Sequence, residues 1–410
     1  MAVCYLDLDE FKPVNDQWGH TVGDQLLVEV AGRLKACVRA EDTVARLGGD
    51  EFVILLASLD SRTEGEQALA RVVAALSSPF QLTVGEIGVG ASIGVSVFPP
   101  DDADADSLIR HADQAMYLAK QAGRNSIRFF DPDADRRARS LRDSVAEVAL
   151  GLERGEFELY YQPQVHLRSG RVVGVEALLR WNHPQRGLLA PGGFLAEVDN
   201  TEVAVALGEW VLDTALRQAD TWHRAGLELR VGINVSAHHL QQDTFAARLA
   251  ERLSRHPELP AGRIELEILE TAALEDLSRI SRLMETCRRF GVSFALDDFG
   301  TGYASLAYLK HLPANLLKID QSFIRDMLSD PEDHAIVQGI VGLAMAFRRE
   351  VIAEGVESLA HGEALLALGC PLAQGYCIAR PMPAAAVAPW VTHWCNPPEW
   401  SQPAPPEDRP

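Results

Sequence analysis

Short apolar runs of β character alternate with longer stretches of helical period along most of this chain. The first run, 2–9, ends in two acids, Asp7 and Asp9. A helix is predicted over 22–37, where Leu26, Leu27, Val30 and Leu34 share one face. Two β runs within 43–56 flank Gly48-Gly49, a hairpin signal. A helix over 64–76, a strand over 87–98, a helix over 105–121 and a strand over 126–130 follow. The pattern predicts an α+β or α/β sandwich whose hairpin carries Asp50 and Glu51 at its tip.

Residues 133–145 read as a polar linker running into a helix on which Leu141, Val145, Val148 and Leu152 recur. Beyond it come β runs at 158–162, 172–179, 230–235, 263–268, 293–297, 316–319, 350–353 and 372–378. Helical periodicity separates several of them, at 204–225, 245–255, 276–290 and 335–348. That rhythm over roughly 250 residues predicts a (β/α)8 TIM-like barrel, whose active site lies at the strand C-terminal ends. The expected division is 1–132, a linker at 133–145, a second domain at 146–392, and a proline-rich, disordered tail at 393–410.

The ends of the barrel runs hold the candidate chemistry. Glu176 sits on strand two, Asn234 on three, Glu267 and Glu270 on four, and Asp297 with Asp298 on five. Strand six presents Lys318 and Asp320, strand seven Glu354 and Glu357, and strand eight Gln374. Each alone reads as a rim polar group; the set from seven strands reads as a site. All-oxygen donors with one lysine suit Mg2+ or Mn2+ and suit zinc poorly. Two cations sharing a carboxylate, with Asp297 as the bridge, would activate water for attack at phosphorus. A strand-end lysine ordinarily snorkels to solvent; among so many acids Lys318 is expected to stay charged and to position water. His183, His238, His239 and His311 read as surface or loop residues.

A net charge of −20 argues against a nucleic-acid polymer or an anionic membrane surface as the main partner, and an anionic substrate would need local cations, metal ions being the obvious candidates. Six cysteines without a C-x-x-C pair fit reduced thiols in the cytoplasm. No signal peptide or membrane-spanning run is evident.

In the first domain, Asp7-Leu-Asp-Glu-Phe-Lys12-Pro-Val-Asn15-Asp16, Gly19-His20, Gly23-Asp24, Arg46-Leu-Gly-Gly-Asp-Glu-Phe52 and Ala112-Asp-Gln-Ala-Met-Tyr-Leu-Ala-Lys120-Gln-Ala-Gly-Arg124-Asn125 resemble the GGDEF diguanylate cyclase family. The resemblance implies Asp7 and Asp50, with the Leu8 carbonyl, on Mg2+, and Gly48 and Gly49 in a loop against GTP. It further implies Asn15 and Asp24 on guanine, Glu51 near the reacting 3′-hydroxyl, and Lys120 and Arg124 on phosphates. Arg39-Ala-Glu-Asp42 matches the family's inhibitory product site. The family's helix and L-T-G-L-x-N-R-like segment ahead of the first strand have no counterpart here, so a misplaced start, a fragment or an N-terminally truncated domain is expected, binding nucleotide more readily than turning it over.

The second domain's Glu176-Ala-Leu178, Asn234-Val-Ser236, Glu267-Ile-Leu-Glu270, Asp297-Asp-Phe-Gly-Thr-Gly-Tyr303, Lys318-Ile-Asp320, Glu354-Gly-Val-Glu357 and Gln374-Gly-Tyr376 resemble the EAL phosphodiesterase family, in order and at family-like spacing. That family hydrolyses cyclic di-GMP to linear pGpG. The resemblance implies Glu176, Asn234, Glu267 and Asp297 on one metal, and Asp297, Asp298 and Glu354 on a second. Lys318 would hold or deprotonate the attacking water with Gln374 nearby, and Glu270 would anchor the loop after Asp298. Gln162 and Arg180, with Asp320 and Glu357, would bind substrate. Departures are mild: Ala304 for a common serine, Ile378 for a usual phenylalanine, and Asp199-Asn200-Thr201-Glu202 without the usual glycine.

The expectation is therefore a cyclic di-GMP phosphodiesterase whose first domain binds GTP as a regulator or a weakened cyclase. Rivals are a dominant or bifunctional diguanylate cyclase, and a non-catalytic cyclic di-GMP receptor. A homodimer is expected, because cyclase chemistry brings two GTP-loaded domains together.

Overall fold

Ala2–Asp9 is buried along its whole length at the centre of a five-stranded sheet. In this computed structural model residues 1–59, 62–302 and 309–401 are described. The chain divides into two units, Met1–Ser140 and Leu141–Pro410. In the first, the sheet runs Thr43–Gly48, Glu51–Leu56, Ala2–Asp9, Gly90–Val97, Ile127–Phe129, antiparallel except for the last pair. Strand side chains alternate between faces. Ala2, Cys4, Leu6 and Leu8 pack in one cluster with residues of helices His20–Cys37 and Arg62–Ser77, while Val3 and Tyr5 pack on Leu108, Ala112 and Met116 of helix Ala105–Gln121. That last helix lies so close to the sheet that a Cβ on Gly94 would stand 1.9 Å from the Ala112 carbonyl oxygen.

Two details differ from the sequence reading. A helix, Phe11–Trp18, follows strand one directly. The run predicted from residue 87 divides into a small hairpin, Phe80–Leu82 with Gly85–Ile87, and the strand Gly90–Val97.

The second unit is a barrel of eight strands: Phe157–His166, Val172–His183, Arg230–Asn234, Ile264–Leu269, Ser293–Phe299, Leu316–Ile319, Glu350–Ala353 and Leu372–Ala373. Strands two to eight are parallel, as expected, but strand one is antiparallel to both strand two and strand eight. The reason is connection length. A parallel crossover needs a dozen or more residues, and strands one and two are joined by a short turn in which Gly170 has φ 68. Helices between the parallel strands start on polar caps that satisfy their free N–H groups, such as Thr201 before Glu202–Arg224, Asp330 before Pro331–Ala346 and Ser358 before Leu359–Leu368.

The stretch read as a polar linker is already helical. Helix Pro132–Glu153 is continuous, and Asp131 accepts hydrogen bonds from the N–H groups of Asp133 and Ala134, so its polar residues form a cap and an exposed first turn. The tail expected to be disordered is ordered as far as a short helix, Pro398–Ser401. Its anchor is Trp400, 0% exposed, whose indole N–H donates to the Leu359 carbonyl at 3.0 Å and whose ring fills the space above Gly362. Residues 402–410 lie outside the described residues, as do Tyr303 and Ala304. No helix among the described residues is long and apolar enough to cross a membrane.

Candidate active site

Barrel strands bring their polar groups together at one mouth, and Lys318 stands among them. Its side chain is 0% exposed, with Nζ 2.5 Å from Glu267, 2.7 Å from Glu354, 3.0 Å from Asp297 and 3.7 Å from Glu176. Burial opposes the charge on this ammonium, but Asp297, Glu176, Glu267 and Glu354 together overcome it and raise its pKa well above the ordinary lysine value. The lysine is therefore charged, and it does not snorkel.

Two adjacent acids can both reach the site because strand five is irregular. Neighbouring strand residues normally point to opposite faces. Here the register with strand six shifts between Leu296 and Phe299, and Asp298 adopts φ 51. Such a bulge re-aims a side chain, and aspartate is among the few non-glycine residues that tolerate the left-handed region. Glu176, Glu267 and Asp297 bring carboxylate oxygens within 4.8 Å of one another, as do Asp297, Asp298 and Glu354. Asp297 belongs to both groups.

Excess negative charge marks the site. Burial, opposed by Lys318 and reinforced by Asp297 and Glu176, lifts Glu354 to about 8. Burial and the neighbouring Asp297 and Asp320 lift Asp298 to about 6. Glu267 is raised well above its ordinary value by burial, and Glu176, despite burial, is lowered by Lys318 and by hydrogen bonds from Gln374 and Asn234. Further cations would relieve this repulsion. Glu267 Oε1 is buried without a hydrogen-bond partner, and it occupies the space a Cβ on Gly232 would need, 1.9 Å away. An all-oxygen set with an unsatisfied buried donor fits Mg2+ or Mn2+.

Amides orient the carboxylates. Gln374 Nε2 donates to Glu176 Oε2 at 2.5 Å and to Gln162 Oε1 at 3.0 Å, and Asn234 Nδ2 donates to Glu176 Oε1 at 2.7 Å. Gln164 completes this chain by donating to Gln374 Oε1 at 3.0 Å. The sequence reading missed Gln164, although it lies two residues from Gln162 and so on the same strand face. Glu270 Oε2 accepts from the Gly300 N–H at 2.9 Å. Asp320 caps helix Gln321–Asp326 and hydrogen-bonds Asp298. Arg180 donates to the Leu179 carbonyl at 2.7 Å. Glu357 is exposed, and its charge acts on Arg325.

Two histidines read as surface residues are buried instead. His183, 4% exposed, pairs with Glu147 at 2.9 Å, and His239, 2% exposed, lies 3.2 Å from Glu209. In both cases an acid partner makes burial tolerable; His238 and His311 are not buried.

In the first unit Asp7 and Asp9 are buried, but the lysine beside Asp7 is more open, at 33% exposure. Lys120 Nζ is 2.7 Å from Asp7 Oδ1, and burial raises the Asp7 pKa against the lowering effect of that lysine. Asp50 and Glu51 follow Gly48 and Gly49 at the hairpin tip, where Arg46 holds the Gly49 carbonyl at 2.7 Å and Gly49 has φ 54. Glu51 accepts from the Tyr5 hydroxyl, whose pKa burial and this bond push up to about 12. Asp9 is occupied elsewhere, bonding Ser92 and the Asn125 N–H. Asn15 lies against Gly23, where a Cβ would meet its Oδ1 at 1.9 Å, and Asp24 and Arg124 are exposed. Asp42 accepts from the Arg39 N–H at 2.8 Å, and Arg39 pairs with Glu64 at 2.5 Å.

The family model for the EAL domain matches residues 141–381, and the model for the diguanylate cyclase GGDEF domain matches residues 1–126. The chain belongs to the EAL domain family, with a GGDEF domain ahead of its barrel. It is 43% identical over 387 residues to MucR of Pseudomonas aeruginosa, named a bifunctional diguanylate cyclase/cyclic di-GMP phosphodiesterase, covering 93% of this chain and 56% of that protein. It is 36% identical over 394 residues to the cyclic di-GMP phosphodiesterase PdeR of Escherichia coli, covering 96% of this chain and 59% of that one. The chain thus spans little more than half the length of these relatives. Among solved structures, the MucR phosphodiesterase in complex with c-di-GMP is similar at 41% identity and a TM-score of 0.58, covering 60% of this chain and 99% of that one. The EAL domain of Mycobacterium smegmatis DcpA is similar at 33% identity and a TM-score of 0.51, covering 59% and 100%.

Proposed function

We propose that the EAL barrel hydrolyses cyclic di-GMP to linear pGpG, and that the GGDEF domain binds GTP as a regulator or a weakened cyclase. The observation that carries this reading is the charged Lys318 ringed by Glu176, Glu267, Asp297 and Glu354 at the barrel mouth, with Asp298 beside them. A receptor that only binds has no use for so much mutually repelling charge. The relatives named as phosphodiesterases and the c-di-GMP complex of a similar barrel support the substrate class.

Glu176, Asn234, Glu267 and Asp297 would hold one Mg2+ or Mn2+, and Asp297, Asp298 and Glu354 a second. Bound there, such ions acidify water and offset phosphate charge. Lys318, held in its charged form, orients a water and stabilises developing negative charge; it is a poor proton acceptor. Gln374 and Asn234 fix Glu176, and Glu270 fixes the backbone after Asp298. Gln162, Arg180, Asp320 and Glu357 are assigned to the substrate. In the GGDEF domain, Asp7 and Asp50 would carry Mg2+ with GTP, and Asn15, Asp24, Gly48, Gly49, Glu51, Lys120 and Arg124 the nucleotide, with Arg39 and Asp42 as an inhibitory product site. A homodimer is proposed for any cyclase turnover, since two loaded GGDEF domains must meet.

Chromatography of products from cyclic di-GMP and from GTP, each with Mg2+ or Mn2+, tests the reading. Formation of pGpG is expected in the parent and in Asp50→Ala, and its loss in Asp297→Asn. Intact cyclic di-GMP under every ion would leave the receptor; GTP consumption without pGpG would leave the cyclase.

A further inference from the structure

Three glutamine amides line up beside Glu176, and their hydrogen bonds all run in one direction. Gln164 Nε2 donates to Gln374 Oε1 at 3.0 Å. Gln374 Nε2 donates in turn to Glu176 Oε2 at 2.5 Å and to Gln162 Oε1 at 3.0 Å, and Gln162 Nε2 donates to the Ala379 carbonyl at 3.0 Å. Gln164, Gln374 and Gln162 are 1%, 4% and 7% exposed, so water offers them little replacement for these partners.

The reversed direction of strand one puts two of the three there. In its antiparallel register with strand two, Gln162 lies opposite Glu176 and Gln164 lies opposite Gly174, and residues directly opposite share a sheet face. Gly174 leaves room for the longer side chain, since a Cβ there would stand 3.1 Å from Gln164 Oε1. An amide has a donor end and an acceptor end, and turning it over exchanges them. Turned over, Gln374 would aim its oxygen at the Glu176 carboxylate and at Gln162 Oε1, two contacts between acceptors. In its present orientation that oxygen is satisfied by Gln164, and a buried acceptor stripped of its donor is costly.

We propose that Gln164 is a positioning residue for the ion site: its amide fixes which way Gln374 faces and, through Gln374, where the Glu176 carboxylate points. This rests on the phosphodiesterase reading and adds to it a residue that acts on a candidate metal ligand through another side chain.

Two substitutions separate the hydrogen bond from the packing. Gln164→Met keeps the length and removes the donor. Gln164→Glu keeps the shape and donates only while protonated; once ionised it only accepts, and Gln374 must turn its Nε2 away from Glu176 to meet it. Burial keeps such a carboxyl protonated to higher pH than a surface one.

The test is calorimetric titration of the full chain with Mn2+ in the absence of nucleotide, beside initial rates of pGpG formation from about pH 5.5 to 9, each variant read below its melting transition. Gln164→Met is expected to weaken Mn2+ binding and to slow hydrolysis about tenfold, by one factor relative to the parent across the pH range. Gln164→Glu should start near the parent at the acidic end and fall away from it as pH rises. A side chain that only fills space would leave Mn2+ affinity at the parent value and the Gln164→Glu rate at a fixed fraction of the parent's, and that result overturns the positioning role. Should Gln164→Met not fold, the pH course of Gln164→Glu decides alone. A parent that makes no pGpG overturns the phosphodiesterase reading and this role with it. A parent that makes pGpG, matched by both variants at every pH, overturns the positioning role alone.

Discussion

The two acidic centres of this protein are built on opposite principles. In the barrel, the donors arrive on several strands, Asp297 and Asp298 sharing one, and Lys318 is sealed among them at 0% exposure. In the GGDEF domain the acids gather at the edge of one hairpin and the end of one strand, and the Lys120 side chain on Asp7 is 33% exposed. A buried charge cluster is held in shape by the whole sheet and punishes the loss of any member. An open one is screened by water, and a ligand can complete it at little cost to the fold.

The largest expected effect follows from that contrast. Lys318→Met leaves Glu176, Glu267, Asp297 and Glu354 buried without their shared counter-charge. Removing one partner of a buried charge pair costs about 3–5 kcal/mol, so urea unfolding in EDTA should show a loss of that size, together with loss of detectable pGpG formation. A stability close to that of the parent would mean that the acids are neutral in the ion-free protein and that the contrast between the two centres is overstated.

Titration sharpens the comparison next. Asp298 and Glu354 have folded pKa values of about 6 and about 8, raised above the ordinary carboxylate range. A raised carboxyl stabilises the fold below its unfolded pKa and loses that contribution as pH climbs through the folded value. The ion-free barrel should therefore lose stability as pH rises from about 4 to 8. Mn2+ or Mg2+ should restore it, and by more at pH 8 than at pH 5, because bound cations favour the ionised forms. Thermal melts across this range, with EDTA and with each ion, measure it; a cation effect independent of pH would count against ion binding at these acids.

A smaller effect belongs to Glu270, whose Oε2 accepts from the Gly300 N–H. Glu270→Gln keeps the shape but weakens the acceptor. Metal-site supporting residues typically account for 10- to 100-fold in affinity or rate, and a loss near the lower end of that range, with Mn2+ affinity falling in parallel, is expected by titration and initial rates.

Much of this was legible in the chain itself, for reasons that also explain the misses. Glu176, Asn234, Glu267, Asp297 and Glu354 stand at the ends of apolar runs, and in a barrel that position alone brings them to one mouth. The direction of strand one was not legible from its residues, since an apolar run reads the same either way; the short connection after it was the available signal. The burial of His183 and His239 depends on Glu147 and Glu209, acids 36 and 30 positions away in sequence, which no local pattern reports. Trp400 was masked by the prolines around it, because composition speaks of an average segment while one aromatic can anchor a turn. Gln164 was within reach and was passed over.

The smallest expected effect is in the open centre. Lys120→Ala removes the partner of Asp7, yet the lysine is a third exposed, and such pairs contribute roughly 0–1 kcal/mol after screening. Asp7 is also repelled by Asp50 and Glu51, so without Lys120 its carboxyl should take up a proton more readily, which limits the loss further. Unfolding of the GGDEF domain should therefore shift by less than about 1 kcal/mol, while Mg2+–GTP binding, measured by calorimetry, is expected to weaken because the cation proposed for the phosphates is gone. Barrel hydrolysis measured without GTP should stay at the parent rate. A large destabilisation instead would mean that the hairpin centre is as rigidly built as the barrel's, and that both domains hold their charges by the same means.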